Sequence, residues 1–103
     1  MPNRNYEKGR RFEHHAMAIL KEQGYTCIRS AGSHGPWDVT AVNEHFVRFI
    51  QLKVNRMAGP DERKAILSCT VPDASCVRRE IWFKESRKPL RTWLAVKGTF
   101  VEQ

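Results

Sequence analysis

The chain has 103 residues, which predicts a single domain over residues 1–103. It carries 18 Lys and Arg against 11 Asp and Glu, and this charge of +7 favours a nucleic-acid partner. A hydrophobic content of 41% excludes a disordered tail. No stretch approaches the roughly 18 apolar residues of a membrane span, and the polar N-terminus predicts a cytoplasmic protein without membrane attachment.

The first half of the chain predicts one helix followed by three strands. Apolar residues at helical spacing predict a helix over residues 6–23, with Gly24 at its end. The alternating segment 25–31 predicts a strand, and a turn rich in glycine and proline follows it. Residues 38–42 and 46–54 predict two more strands joined by a tight connection.

The second half is less regular. Residues 55–64 are polar and contain Gly-Pro, so they predict a mobile loop. Residues 65–71 predict a short strand, and Pro72 with Asp73 fits the start of a helix that runs to about Ser86. The last residues predict a hairpin around Lys97-Gly98. Together these elements predict a mixed α/β domain, a small sheet flanked by helices.

The third predicted strand carries two polar side chains among Val, Phe and Ile. Alternation along a strand puts Gln51 and Lys53 on one face and Ile50 on the other. The short connection brings Asp38, at the start of the preceding strand, level with Gln51. A carboxylate, an amide oxygen and an ammonium at one sheet edge suit a hard cation such as Mg²⁺, with the lysine orienting an attacking water. The same pattern also fits a solvated sheet face along which Lys53 reaches solvent.

Four segments carry a resemblance to a known family: EKGRRFE, AILKEQGYTCIRSAGS, WDVTAV and FIQLKV, within residues 6–54. In this order they resemble the archaeal-type Holliday junction resolvases (Hjc-like proteins) of the PD-(D/E)-X-K nuclease superfamily. The resemblance implies a restriction-endonuclease-like fold. It also implies an endonuclease that uses Mg²⁺, or Mn²⁺ in its place, and no organic cofactor. Such an enzyme resolves four-way DNA junctions by paired symmetric nicks.

The resemblance also implies roles for individual residues. The catalytic residues would be Glu13, Ser33, Asp38, Gln51 and Lys53. The metal would be held by Glu13, Asp38, Gln51 and the backbone carbonyl of Leu52. Gln51 departs from the glutamate that is usual in the family; its amide keeps an oxygen donor but removes a negative charge. Arg29 matches a family arginine that supports the site or contacts DNA. The charge pattern, separately, predicts phosphate contacts from basic residues that bracket the proposed site and from His34 beside Ser33: Arg4, Lys8, Arg10, Arg11, Arg56, Arg63 and Lys64.

The quaternary state follows from the symmetry of the implied substrate. A four-way junction has near two-fold symmetry, and a chain with one site needs a second copy to make paired nicks, so a homodimer is expected. Its interface is expected to use apolar residues of the second helix and the late strands, with Ile81, Trp82, Phe83 or Trp93 as candidates.

Two other functions remain open at this stage. One is a phage or mobile-element endonuclease of the same superfamily that acts on other branched or damaged DNA; a phage-encoded protein would act in the host cytoplasm. The other is a basic DNA-binding protein without catalysis.

Overall fold

The computed structural model describes residues 4–30 and 35–103, with side chains from residue 7 onward. These described residues form two helices and six strands, which confirms the mixed α/β class. Their bounds are α1 Arg4–Glu22, β1 Thr26–Arg29, β2 Val39–Val42, β3 Val47–Val54, α2 Pro60–Ser68, β4 Val77–Lys84, β5 Arg91–Val96 and β6 Thr99–Glu102.

The six strands form one sheet in the order of the chain, from β1 to β6. β3 and β4 are parallel, joined by α2, and the other neighbours are antiparallel. β2 begins at Val39, which lies opposite Ile50, whereas β4 accompanies β3 as far as Val54. The last four residues of β3 therefore have a strand on the β4 side but none on the β2 side in the described chain. This opening at the sheet positions the site described below.

Each face of the sheet is covered by one helix. Helix α1 packs through Phe12, Ala16 and Leu20 against a cluster that contains Ile50 and Trp82. Helix α2 packs through Ile66 against Ile81, which neighbours Trp82 and so points to the opposite face. Trp37, Met57, Trp93 and Phe100 complete the α2 side.

The prediction is wrong between residues 55 and 86. The segment expected to be a mobile loop and a strand contains α2, which begins at Pro60 because proline suits the first helical position and Glu62 bonds back to the Gly59 N–H. The segment expected to be a helix forms β4. Glu80, Ile81, Trp82 and Phe83 are all buried, so β4 lacks the polar and apolar alternation that identifies a half-buried strand.

A buried ion pair joins the two parallel strands. Arg48 on β3 donates from Nε and Nη2 to the two carboxylate oxygens of Glu80 on β4, each at 2.7 Å. Trp82 Nε1 donates to the same carboxylate at 3.0 Å, and the Arg48 guanidinium lies 5.1 Å from the centre of the Tyr25 ring. These contacts satisfy the buried charges across a diagonal of the register, since Glu80 lies opposite Ile50, two residues beyond Arg48.

Two expectations about surfaces can be compared with these positions. The exposed fractions of Ile81, Trp82 and Phe83 are 0%, 3% and 7%. These three side chains of β4 are buried in the core of one chain, so they cannot form the expected dimer interface. Neither helix in the described part of the chain is long and apolar enough to cross a membrane.

Candidate active site

Asp38 lies at the opening between β2 and β3. Its backbone N–H donates to the Ile50 carbonyl at 2.9 Å, and its carboxylate accepts a hydrogen bond from the Leu52 N–H at 2.8 Å. Burial raises the pKa of this carboxyl above its usual value, the Leu52 N–H opposes that shift, and the charge of Glu13 adds to it. Asp38 is therefore held in the plane of the sheet, where both faces are within reach.

The α1 side of the opening is a cavity of about 230 Å³ lined by Gly9, Arg10, Glu13, Arg29, Asp38, Leu52 and Val54. Helix α1 brings Glu13 to this wall because Phe12, the preceding residue, is buried against the sheet. Glu13 forms an ion pair with Arg29 of β1. Two predicted site acids and two predicted DNA-contacting arginines, Arg10 and Arg29, thus meet in one cavity. A larger groove of about 710 Å³ near β5 contains none of the predicted site residues.

Gln51 and Lys53 lie on the α2 face of β3, as the strand alternation predicts. Their neighbours Ile50 and Leu52 belong to the core under α1. The Gln51 Oε1 atom is buried and has no hydrogen-bond partner among the described residues. A buried carbonyl oxygen without a donor is costly, so this atom is suited to a ligand that the protein itself does not supply. Lys53 lies two residues further and is within electrostatic reach of Asp38.

Glu62 is a site residue that the sequence reasoning missed. It lies in the first turn of α2, and its Oε2 is 2.5 Å from Lys53 Nζ. The hydrogen bond from Lys53 lowers the pKa of Glu62, and the Glu62 charge in turn acts on Asp38. The segment Gly59-Pro60-Asp61-Glu62 does contain the signal of a helix start. Recognising that start would have moved Glu62 from a mobile loop to an ordered position beside β3.

The predicted DNA-contacting residues fall into two groups. Lys8, Arg10 and Arg11 lie on α1 and line the Glu13 cavity or the groove next to it, where Lys84 is also found. Arg56, Arg63 and Lys64 are exposed on the α2 side of the sheet. The predicted contacts of Ser33 and His34, and of the Arg4 side chain, lie outside the described residues.

The donors at the opening suit Mg²⁺. They are oxygen atoms: the Asp38 carboxylate, the unpartnered Gln51 Oε1 and, on the same side of β3 as the Leu52 N–H, the Leu52 carbonyl. Among the described residues, no three His, Cys, Asp or Glu side chains are grouped as metal ligands.

Comparisons with known proteins bear on this fold. The model of the archaeal Holliday junction resolvase (Hjc) family matches residues 4–60. The solved structure of Hjc, a Holliday junction resolvase from the archaeal hyperthermophile Archaeoglobus fulgidus, matches with a TM-score of 0.65 at 21% identity. That match covers 92% of this chain and 88% of the other, and at this identity it establishes the fold. No curated protein sequence matches the chain.

The fold is that of the restriction-endonuclease-like nucleases, as expected. The family model covers more than half of the sequence, and the chain belongs to the archaeal Holliday junction resolvase family. Family membership thus confirms the predicted family and the predicted activity, an endonuclease for four-way DNA junctions.

Proposed function

We propose that the protein hydrolyses phosphodiester bonds of four-way junctions at the opening between β2 and β3, with Mg²⁺ as its cofactor and Mn²⁺ as a substitute. The observation that carries this proposal is the buried, unpartnered Gln51 Oε1 on β3. The next residue, Leu52, donates its N–H to the Asp38 carboxylate, and Lys53 acts electrostatically on Asp38. A sheet face that only met solvent would not bury an amide oxygen without a partner.

Each residue has a separate task in this proposal. Asp38, Gln51 and the Leu52 carbonyl hold the metal, and Glu13 extends the acidic wall from α1. When bound, Mg²⁺ offsets phosphate charge and activates water for attack. The Lys53 ammonium orients that water and stabilises the negative charge that develops on the phosphate. Arg10 and Arg29, which line the cavity beside Asp38, are placed to bind the neighbouring phosphates.

The paired symmetric nicks require two copies of the site. We propose a homodimer that acts on DNA in the cytoplasm, with an interface that does not use Ile81, Trp82 or Phe83, since these are buried within one chain. Exposed apolar side chains remain on the two outer parts of the sheet: Ile28 on β1, Val96 on β5 and Val101 on β6. Light scattering of the DNA-free protein should give twice the chain mass of 12.0 kDa.

Cleavage of an end-labelled four-way junction, with and without Mg²⁺, tests the proposed function. The parent protein should cut two opposite strands only with Mg²⁺, and it should leave a linear duplex with the same arms intact. Cutting of the duplex at an equal rate would favour the other endonuclease of this superfamily. Tight junction binding without any cleavage at any Mg²⁺ or Mn²⁺ concentration would favour a non-catalytic DNA-binding protein.

A further inference from the structure

The ion pair between Lys53 and Glu62 joins two consecutive elements of the chain, a strand and the helix that follows it. Lys53 is on β3 and Glu62 is in the first turn of α2, which crosses over to β4. Lys53 Nζ and Glu62 Oε2 are 2.5 Å apart, and the Lys53 side chain is only 21% exposed. An ammonium this poorly solvated needs a carboxylate partner, because burying an unpaired charge is costly.

Gln51 cannot be that partner. It shares the sheet face of Lys53, two residues away, but its neutral amide carries no charge to balance an ammonium. Glu62 therefore supplies the negative charge at this place from a different element. Its other oxygen, Oε1, accepts a hydrogen bond of 3.3 Å from the Gly59 N–H, which orients the carboxylate at the start of the helix. The residue before Lys53, Leu52, donates its N–H to the Asp38 carboxylate at 2.8 Å, so the pair belongs to the same site, and both of its charges act electrostatically on Asp38.

We propose that Glu62 is a positioning residue of the active site: it holds the Lys53 ammonium beside Asp38 and supplies the negative charge that Gln51 lacks. The holding of the Lys53 ammonium is a property of the metal-free protein. The role of the Glu62 charge in metal binding rests on the proposed Mg²⁺-dependent hydrolysis. Without Glu62, the unbalanced ammonium repels a divalent cation at Asp38, and its side chain is free to leave the position from which it acts on the phosphate.

Four variants separate this role from a structural one. Glu62→Gln removes the charge but keeps an oxygen that can accept the Gly59 N–H, since glutamine also serves in capping boxes. Asp61→Asn is the matched control: it removes the same charge one residue earlier, from an exposed side chain on the same helical turn. Gln51→Glu places a carboxylate beside Lys53 on β3. The double variant Gln51→Glu/Glu62→Gln thus moves the carboxylate from the helix to the strand.

The first measurement is the motion of the Lys53 side chain in metal-free protein, from NMR relaxation of its Cε methylene group. We expect restricted motion in the parent and in Asp61→Asn, free motion in Glu62→Gln, and restriction again in the double variant. The second measurement is Mn²⁺ affinity by calorimetry, together with the Mg²⁺ concentration that gives half-maximal cleavage. Glu62→Gln should weaken both on the order of tenfold, and the double variant should restore them.

Different results overturn different statements. Glu62→Gln behaving like Asp61→Asn in both measurements would overturn the inference as a whole. Loss of Lys53 restriction without rescue by the double variant would overturn the claim that Glu62 supplies the charge Gln51 lacks. A parent that binds no metal and cuts no junction, yet shows the Glu62-dependent restriction of Lys53, would refute the proposed function while supporting the positioning role.

Discussion

The carboxylate of Asp38, the residue before β2, accepts a hydrogen bond of 2.8 Å from the backbone N–H of Leu52. Leu52 lies in the part of β3 that extends beyond its pairing with β2. This bond replaces the strand-to-strand pairing that Leu52 would otherwise make on that side. It also ties the position of the candidate metal ligand to the backbone that follows Gln51. A buried acid is thus part of the sheet edge and part of the site at once.

The cost of ionising Asp38 gives the first prediction. Its pKa is raised, chiefly by burial, so the ionised form destabilises the folded protein. That destabilisation is absent well below the ordinary value of 3.8, builds as pH rises through the folded-state pKa, and is complete above it. Asp38→Asn keeps an oxygen for the Leu52 N–H and avoids the charge. In thermal unfolding without metal, Asp38→Asn should melt at a higher temperature than the parent at neutral pH. Below pH 3.8 this difference in melting temperature should be smaller.

The control for this measurement is Asp73→Asn, which changes an exposed aspartate in the segment before β4. We also expect Mg²⁺ to raise the melting temperature of the parent and not of Asp38→Asn. A relative stability of Asp38→Asn that is the same at both pH values would contradict the raised pKa.

The second prediction separates chemistry from binding. Asp38→Ala and Lys53→Ala should each lower junction cleavage about 10²-fold to 10³-fold or more, because each removes a group proposed to act on the metal or the developing charge. Junction affinity should change little, since it depends on many phosphate contacts. Single-turnover cleavage and gel-shift titration measure the two effects. Cleavage retained by pure Asp38→Ala protein would remove Asp38 from the active site.

The third prediction concerns the unpartnered oxygen of Gln51. If Gln51 Oε1 is a metal ligand, Gln51→Ala should raise the Mg²⁺ concentration needed for half-maximal cleavage, whereas Gln51→Glu should bind metal at least as tightly as the parent. The turnover rate of the glutamate variant is not determined by this argument, because the added charge also pairs with Lys53. Mg²⁺ titrations of the three proteins should therefore be compared by midpoint. Three equal midpoints would mean that Gln51 is not a ligand.

The fourth prediction concerns the ion pair under α1. Arg48→Met leaves Glu80 buried with fewer partners, and the exposed fraction of the Glu80 side chain is only 2%. Breaking a buried pair on one side typically costs about 3–5 kcal/mol of unfolding free energy. Urea unfolding should show this loss for Arg48→Met. The double variant Arg48→Met/Glu80→Leu should lose less than the single one, and a larger loss in the double variant would contradict the charge argument.

The fifth prediction concerns the basic groove beside the cavity. Lys8 and Arg11 line it together with Lys84. Log affinity falls with log salt, and each phosphate contact that is removed should make this fall shallower by about 0.9 in slope. Lys8→Ala and Arg11→Ala should therefore weaken junction binding most at low salt. Lys97→Asn removes a charge from the β5–β6 turn, away from this groove, and should leave the slope unchanged.

Local signals in the sequence were sufficient for α1, β1 to β3 and the final hairpin. The helical spacing of Phe12, Ala16 and Leu20 predicted the buried face of α1, and all three side chains are buried. Alternation predicted the two faces of β3, and Ile50 and Leu52 lie in the core under α1 as expected. The segments that resemble the resolvase family lie in this same half of the chain, and the family model matches there.

The sequence by itself therefore determined the mixed α/β class and the placement of Gln51 and Lys53 on one strand face, since these depend on periodicity and on neighbouring residues. The family was indicated by the resemblance of four ordered segments in the first half of the chain. Only the tertiary structure decided that residues 77–84 form the central strand β4, because burial on both faces leaves no alternation to read. It also decided that Glu62 pairs with Lys53. The helix start at Pro60 is readable from the sequence, but the side of the sheet on which α2 lies depends on its packing against Ile81 of β4, which no short segment reveals.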